Sequence, residues 1–243
     1  MAGRASGGPE AARDSKECVH FGPKPHRSSA TLAAAQSDRG GVVLELLSVI
    51  AAVATAVQIV VLIVLHRLPT GYNPVRDALS DYGVGQYRAV FWAQVVAGAV
   101  ARLALAIALT RSHPSTPALV VVMLLVAAAA FFLMPWFATD QGGGRFQTRT
   151  GTIHMVLAIS AFTAVTVAAS SLAGAVRHAP AWHGVANLLV ILSWGLTATA
   201  IAVGLAVLIP RLRPVFGLIE RLFSITSIVW FLVVAIELAR LAT

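Results

Sequence analysis

The sequence predicts an all-α integral membrane protein: a bundle of six transmembrane helices with a short interfacial helix between spans one and two. Three observations lead there. Of 243 residues, 58% are apolar and only 12% charged, with a mean hydropathy of +0.80, whereas soluble domains carry about a quarter charged residues. The apolar residues fall in six runs, at 42–65, 88–109, 118–138, 152–174, 184–209 and 219–241, each long enough to cross a hydrocarbon core roughly 30 Å thick. The connections between them are short except the first, whose residues 73–83 hold more polar chemistry than any apolar run that follows.

Residues 1–41 are rich in Ala, Ser, Gly, Pro and basic residues and lack apolar periodicity, which predicts a disordered basic N-terminal tail ahead of a six-span domain over 42–243. The tail has no apolar core of a secretory signal. His20 and His26 within it read as solvated, and the one cysteine, Cys18, excludes an internal disulfide or a cysteine-based metal cluster. Pro114 and Pro117 bracket the second connection, Gly142, Gly143 and Gly144 form the third, and Pro210 with Pro214 punctuate the fifth. Alternating spans put the first, third and fifth connections at one face and the tail, the even connections and the C-terminus at the other. Trp92, Trp136, Trp182 and Trp230 mostly fall near span ends, and Ala158, Ala161 and Ala168 suit close helix packing.

The net charge of +8 does not indicate nucleic acid, because the basic residues are scattered through loops and tail. The implied partners are membrane lipids. Lys and Arg divide nine to eight between the two faces. The basic, signal-free tail favours N- and C-termini on the cytoplasmic side of the cell membrane. Oligomeric state is not encoded in any visible pattern.

The polar chemistry begins at Asn73. Asn73 suits an N-cap, Pro74 the first helical position and Gly83 a left-handed C-terminal cap, so the spacing predicts one helix of about two and a half turns. On it Arg76, Asp77, Ser80 and Asp81 share one side. Asp140 before the triple glycine and His154 in the first turn of span four lie at the same face, with His66, Glu220 and Arg221 nearby and Gln58 and Gln94 a few turns below. Asp77, Asp81, Asp140 and His154 together make an oxygen-and-imidazole set suited to a divalent cation, the one cofactor these donors would accept. Equally, Asp140 could orient His154 as a general base for Ser80 as nucleophile. A plain structural hydrogen bond is the alternative for each. Towards the opposite face Arg102, Glu45 and Glu237 sit at comparable depth, which predicts a structural ion pair tying span two to span six or span one. His183 and Asn187 begin span five at that opposite face and cannot join the cluster. No paired histidine, H-E-x-x-H or G-x-S-x-G motif is present.

The order Gly71-Tyr72-Asn73-Pro74, Arg76-Asp77-x-x-Ser80-Asp81-Tyr82-Gly83, then Phe137-Ala138-Thr139-Asp140 and Gly151-Thr152-Ile153-His154 resembles the bacterial and archaeal membrane-protein family catalogued as domain of unknown function 998. The resemblance covers residues 45–241 and implies six helices, with no activity attached. In layout the chain is also similar, more distantly, to six-span proteins linked to lipid remodelling. It resembles seven-span alkaline-ceramidase-like hydrolases too, but lacks their His-x-x-x-His pair.

Three functions fit these residues. The first is a membrane protein whose Arg76, Asp77, Ser80, Asp81, Asp140 and His154 bind a lipid headgroup or ion. The second is a membrane-embedded hydrolase or transferase with Ser80, Asp140 and His154 at the reacting centre. The third is a small transporter, which the sequence supports least because no acidic residue lies at mid-membrane.

Overall fold

The computed structural model describes residues 27–112, 116–142 and 146–243, with side chains from residue 40 onward. Six long helices carry the apolar runs: α1 Arg27–Arg67, α2 Arg88–Ser112, α3 Ala118–Leu133, α4 Arg149–Val176, α5 Ala186–Leu208 and α6 Phe216–Ala242. Each contains a stretch long and apolar enough to cross a membrane; in α1 it is Gly40–Arg67. The chain divides into two units, Met1–Gln36 and Ser37–Thr243, and the second holds all six of these stretches. Cys18, His20, His26, Pro114, Gly143 and Gly144 lie outside the described residues, as does the expected tail up to residue 26, and α1 begins within the remainder of that tail.

The all-helical six-span expectation is borne out, and the reason is elementary. Lipid offers no hydrogen-bond partners, so each span must satisfy its own backbone, and only a helix does so within one segment. Side-chain hydroxyls follow the same rule: Ser48, Thr55, Thr166 and Thr226 each donate to the carbonyl four residues back. Apolar side chains such as Leu46, Val60, Ile191 and Trp194 face outward, as they can where the surroundings are equally apolar.

Helices in lipid attract one another mainly through close packing, so small residues collect where backbones approach. Ala161, Ala164, Ala168 and Ala169 of α4 are buried, the last three in one cluster with Ala104, Ala106 and Ala108 of α2 and Ala127 of α3. Trp230 is the exception among those four tryptophans. It stands midway along α6, fully buried against Phe231 with ring centroids 5.0 Å apart, rather than at a span end.

Hydrogen bonds identify the two ends of the bundle. The α1–α2 connection bonds to the α3–α4 connection and to the start of α6, through Asp81 to Gly142 and Val75 to Leu218. At the other end, Arg240 near the C-terminus donates to the carbonyl of Ala181 in the α4–α5 connection. Alternate connections therefore converge as the sequence requires.

Candidate functional site

The α1–α2 connection is not the single helix its caps predict. Asn73 does cap: its Oδ1 accepts from the N–H groups of Val75 and Arg76 at 2.9 and 3.4 Å, and its carbonyl from Asp77 at 2.8 Å. The turn then breaks at Ala78, whose backbone is extended (φ −62°, ψ 150°), and a separate 3-10 turn runs Leu79–Gly83. Asp81 causes the restart by accepting the Ala78 N–H through Oδ2 at 3.0 Å. Gly83 is not left-handed; positive φ falls at Gly71 and Gly85 instead. Gly83 matters for space, because a Cβ there would stand 2.8 Å from the Phe91 ring.

This break separates the two carboxylates. Asp77 turns outward to an Arg76 ion pair, Nε to Oδ1 at 2.8 Å, and accepts the Asn73 N–H at 2.8 Å. Asp81 turns inward and is 1% exposed. Its Oδ2 also accepts the Gly142 N–H at 3.3 Å, while Oδ1 has no partner among the described residues. Tyr72 extends the same link by accepting from Gln141 Nε2 at 2.9 Å.

Arg221 and Glu220 open α6 and fasten the connection from the other side. Arg221 donates from Nε to His66 Nε2 at 2.7 Å and from Nη1 to the carbonyls of Asp77 and Gly217 at 2.7 and 2.9 Å. His66 Nδ1 lies 2.7 Å from the Leu62 carbonyl, which can only accept, so Nδ1 carries the proton and Nε2 is free to receive from Arg221. Glu220 accepts the Leu79 N–H at 2.6 Å. Glu220 and Arg221 were legible as polar residues opening a span, but their partners were not.

Asp140 does not orient His154. Its carboxylate accepts from the N–H groups of Gln147 and Thr148 at 2.6 and 3.0 Å and from Thr148 Oγ1 at 2.8 Å, which secures the N-terminus of α4. Those Thr148 and Gln147 donors hold its carboxyl below the usual carboxylate range. His154 instead places Nδ1 2.9 Å from the Phe137 carbonyl. Nδ1 is thus the protonated nitrogen, and the buried Nε2, with no partner among the described residues, presents a lone pair. Nor do Asp77, Asp81, Asp140 and His154 form a cation centre: among the described residues no three His, Cys, Asp or Glu side chains are grouped to hold a metal. Apart from Asp81 Oδ1, their carboxylate oxygens are committed to backbone N–H groups, to Thr148 and to Arg76.

The expected tie between Arg102 and Glu237 or Glu45 is also absent. Glu237 pairs with Arg240 one turn away on α6, and Glu45 is exposed. Arg102 donates Nη1 to the Gly98 carbonyl at 2.9 Å, and its guanidinium lies 3.8 Å from the Phe131 ring centre and 4.5 Å from that of Phe231. Aromatic faces take the place of a carboxylate.

Two adjoining cavities lie beneath the connection. The outer one, about 330 Å³, is lined by Ser80, Arg88, Trp92, Trp136, Phe137 and His154 among others. The inner one, about 50 Å³, extends into the bundle past Gln58, Gln94, Arg102, Glu220 and Ser227. Ser80, Phe91, Met134 and His154 line both. The structure thus brings Ser80 and His154 to the same cavities and leaves Arg76, Asp77, Asp81 and Asp140 outside their walls. Ser227 and Arg88 were missed from sequence; a hydroxyl mid-span is too common in membrane helices to stand out.

Asp81 carries a testable electrostatic consequence. Burial, with a smaller push from Asp77, raises its carboxyl from 3.8 to about 6, against the opposing N–H groups of Gly142 and Ala78. A proton held more tightly by the folded chain favours folding most below the unfolded value of 3.8, and this contribution fades as pH rises through about 6. Asp77, lowered chiefly by its Arg76 hydrogen bond, and Asp140 act oppositely: their contribution is present above the ordinary carboxylate value and is lost as pH falls through their own. Asp81→Asn keeps an oxygen for both N–H donors but cannot titrate. Between about pH 4 and about pH 6.5 the wild-type melting temperature is expected to decline relative to the variant's. Parallel profiles would show that Asp81 does not change charge there.

Comparison with known proteins adds one result. A family model described as Protein of unknown function (DUF998) matches residues 31–237. No curated protein and no solved structure matches the chain.

Proposed function

The chain belongs to the family described as Protein of unknown function (DUF998), and from its six spans and the site at one end we propose a membrane protein that holds the polar head of an amphiphile in the outer cavity. The observation that carries this reading is a single one: a pocket at the end of the spans whose wall includes a buried, unpartnered imidazole nitrogen, His154 Nε2. Its volume of about 330 Å³ lies at the lower end of the range for small-ligand sites. Trp136 is 63% exposed, and Trp92 sits with its ring 5.7 Å from the Arg88 guanidinium. Indole rings favour the headgroup level of a bilayer, and a guanidinium there suits a phosphate or carboxylate. In this reading both chain ends are cytoplasmic and the pocket faces outward across the cell membrane.

Lipid that co-purifies in mild detergent, quantified by mass spectrometry, tests the proposal. Arg88→Ala and His154→Leu are each expected to lower retained lipid at least about fivefold, of the order of 1 kcal/mol of binding, while the protein still melts cooperatively. Unchanged lipid in folded variants would end the proposal.

A second reading has one observation in its favour: Ser80 lines the same two cavities as His154. In it the Ser80 hydroxyl attacks a lipid ester carbonyl, His154 Nε2 takes the hydroxyl proton and returns it to the departing alkoxide, and water then releases the acid by the reverse roles. Ester turnover abolished by Ser80→Ala would favour this reading; no turnover by the wild type would remove it.

A further inference from the structure

The inner cavity carries chemistry beyond the His154 nitrogen that it shares with the headgroup pocket. Descending from the loop end, Glu220, His154, Gln94, Gln58, Ser227 and Arg102 stand about 6, 8, 9, 14, 17 and 21 Å from the ends of their helices at 1.5 Å per residue. All six are at least nine-tenths buried. Five of these lining residues carry a buried polar atom with no hydrogen-bond partner among the described residues: Gln58 Oε1, Gln94 Oε1, Arg102 Nε, His154 Nε2 and Ser227 Oγ. In apolar surroundings each such atom has lost its water without a replacement partner, which is unfavourable. A cavity that gathers five of them is built for an occupant rather than for packing.

Their chemistry defines the occupant. Gln58 Nε2 donates to the Gln94 carbonyl at 3.3 Å, which leaves Oε1 as the free acceptor. With Gln94 Oε1 and the His154 lone pair, the cavity presents three unpaired acceptors, besides the Glu220 carboxyl that accepts the Leu79 N–H at its loop end. At the deep end stands a cation with no carboxylate: Arg102 reaches back one turn to Gly98, between Phe131 and Phe231. Gly98 is required for this arrangement, since a Cβ there would meet Gln58 Nε2, Arg102 Nη1 and the Phe131 ring within 2.8 Å. Three acceptors would repel a bare anion, and the arginine would repel a bare cation. The open volume is about 50 Å³, well under the roughly 150 Å³ of an engineered cavity that admits benzene.

We propose that the inner cavity is a binding site for a compact zwitterion, its anionic oxygens on Arg102 Nε and Ser227 Oγ and its N–H donors on Gln58 Oε1 and Gln94 Oε1. The site does not depend on an amphiphile in the outer cavity. Shared walls at Ser80 and His154 make the outer cavity its route of entry.

Glycine, acetate and ethanolamine are the probes, titrated calorimetrically into the full chain in lipid nanodiscs. Acetate carries only the anionic end and ethanolamine only the donor end. Glycine is expected to bind saturably and at least tenfold more tightly than either. Arg102→Met and Gln94→Leu should each weaken it at least tenfold, whereas Trp194→Leu, on the lipid-facing surface, should leave it unchanged. Where Arg102→Met fails to fold, Gln94→Leu and Ser227→Ala carry the test. Absence of saturable glycine binding, equal binding of acetate or ethanolamine, or full affinity in Gln94→Leu would each overturn the proposal. Lipid retained by the same samples is a separate readout, so the headgroup reading and this one can fail independently.

Discussion

Arg221→Ala is expected to lower the unfolding free energy by about 2–4 kcal/mol, the largest loss at any one side chain of the site. The guanidinium serves three acceptors on three parts of the chain: His66 on α1, the Asp77 carbonyl in the connection and Gly217 on α6. Its removal strands the half-buried Asp77 carbonyl, at about 1–3 kcal/mol when unpaired, and takes from His66, whose ring is exposed, the charged donor that ties α1 to α6. Arg221→Lys should recover only part of the loss, because one ammonium cannot match a planar fork aimed at His66 and Asp77 together. Thermal melting in detergent micelles measures the effect. A lysine variant as stable as wild type would show that charge, and not the fork, is what matters.

The second large effect is at Gly217, where the sign is informative. Near a helix start, glycine to alanine ordinarily gains up to about 1 kcal/mol from helix propensity. Here a Cβ would intrude on the Asp77 carbonyl oxygen and carbon and on Arg221 Nη1. Two of those atoms are backbone and cannot swing aside. Overpacking of this kind costs about 1–3 kcal/mol, and it would also pull Leu218 N–H from the Val75 carbonyl, now 2.9 Å away. Gly217→Ala should therefore destabilise. Gly204→Ala on α5, with open space around it, should be neutral or stabilising. Equal melting of the two variants would mean that the connection is not seated against α6 as described.

Both effects depend on contacts no sequence spacing discloses, and they mark the limit of what could be read in advance. Asn73 was legible as a cap because its bonds reach only to residues 75–77. The helix expected beyond it failed because Asp81 offered Ala78 a competing local bond, and a short polar helix has little propagation to lose. Asp140 and His154 were legible as neighbours across a tight turn. The partner of each was not, since Thr148 and Phe137 present backbone groups that local patterns do not distinguish. Arg102 was expected to seek Glu237, but Arg240 stands one turn from that carboxylate and two phenyl rings stand against the guanidinium.

The sequence by itself determined that the chain crosses a membrane six times as helices and that its alternate connections meet at one end. Hydrophobic length and the demand for internally satisfied backbone leave no other arrangement. Only the tertiary structure decided which polar groups stay free. Most of the candidate carboxylate oxygens are consumed by N–H groups at turn and helix starts, while His154, Gln58, Gln94, Arg102 and Ser227, which line a cavity, keep a polar atom unpaired among the described residues. A side chain's availability depends on which backbone atoms arrive beside it, and those arrive from distant segments once the helices have packed.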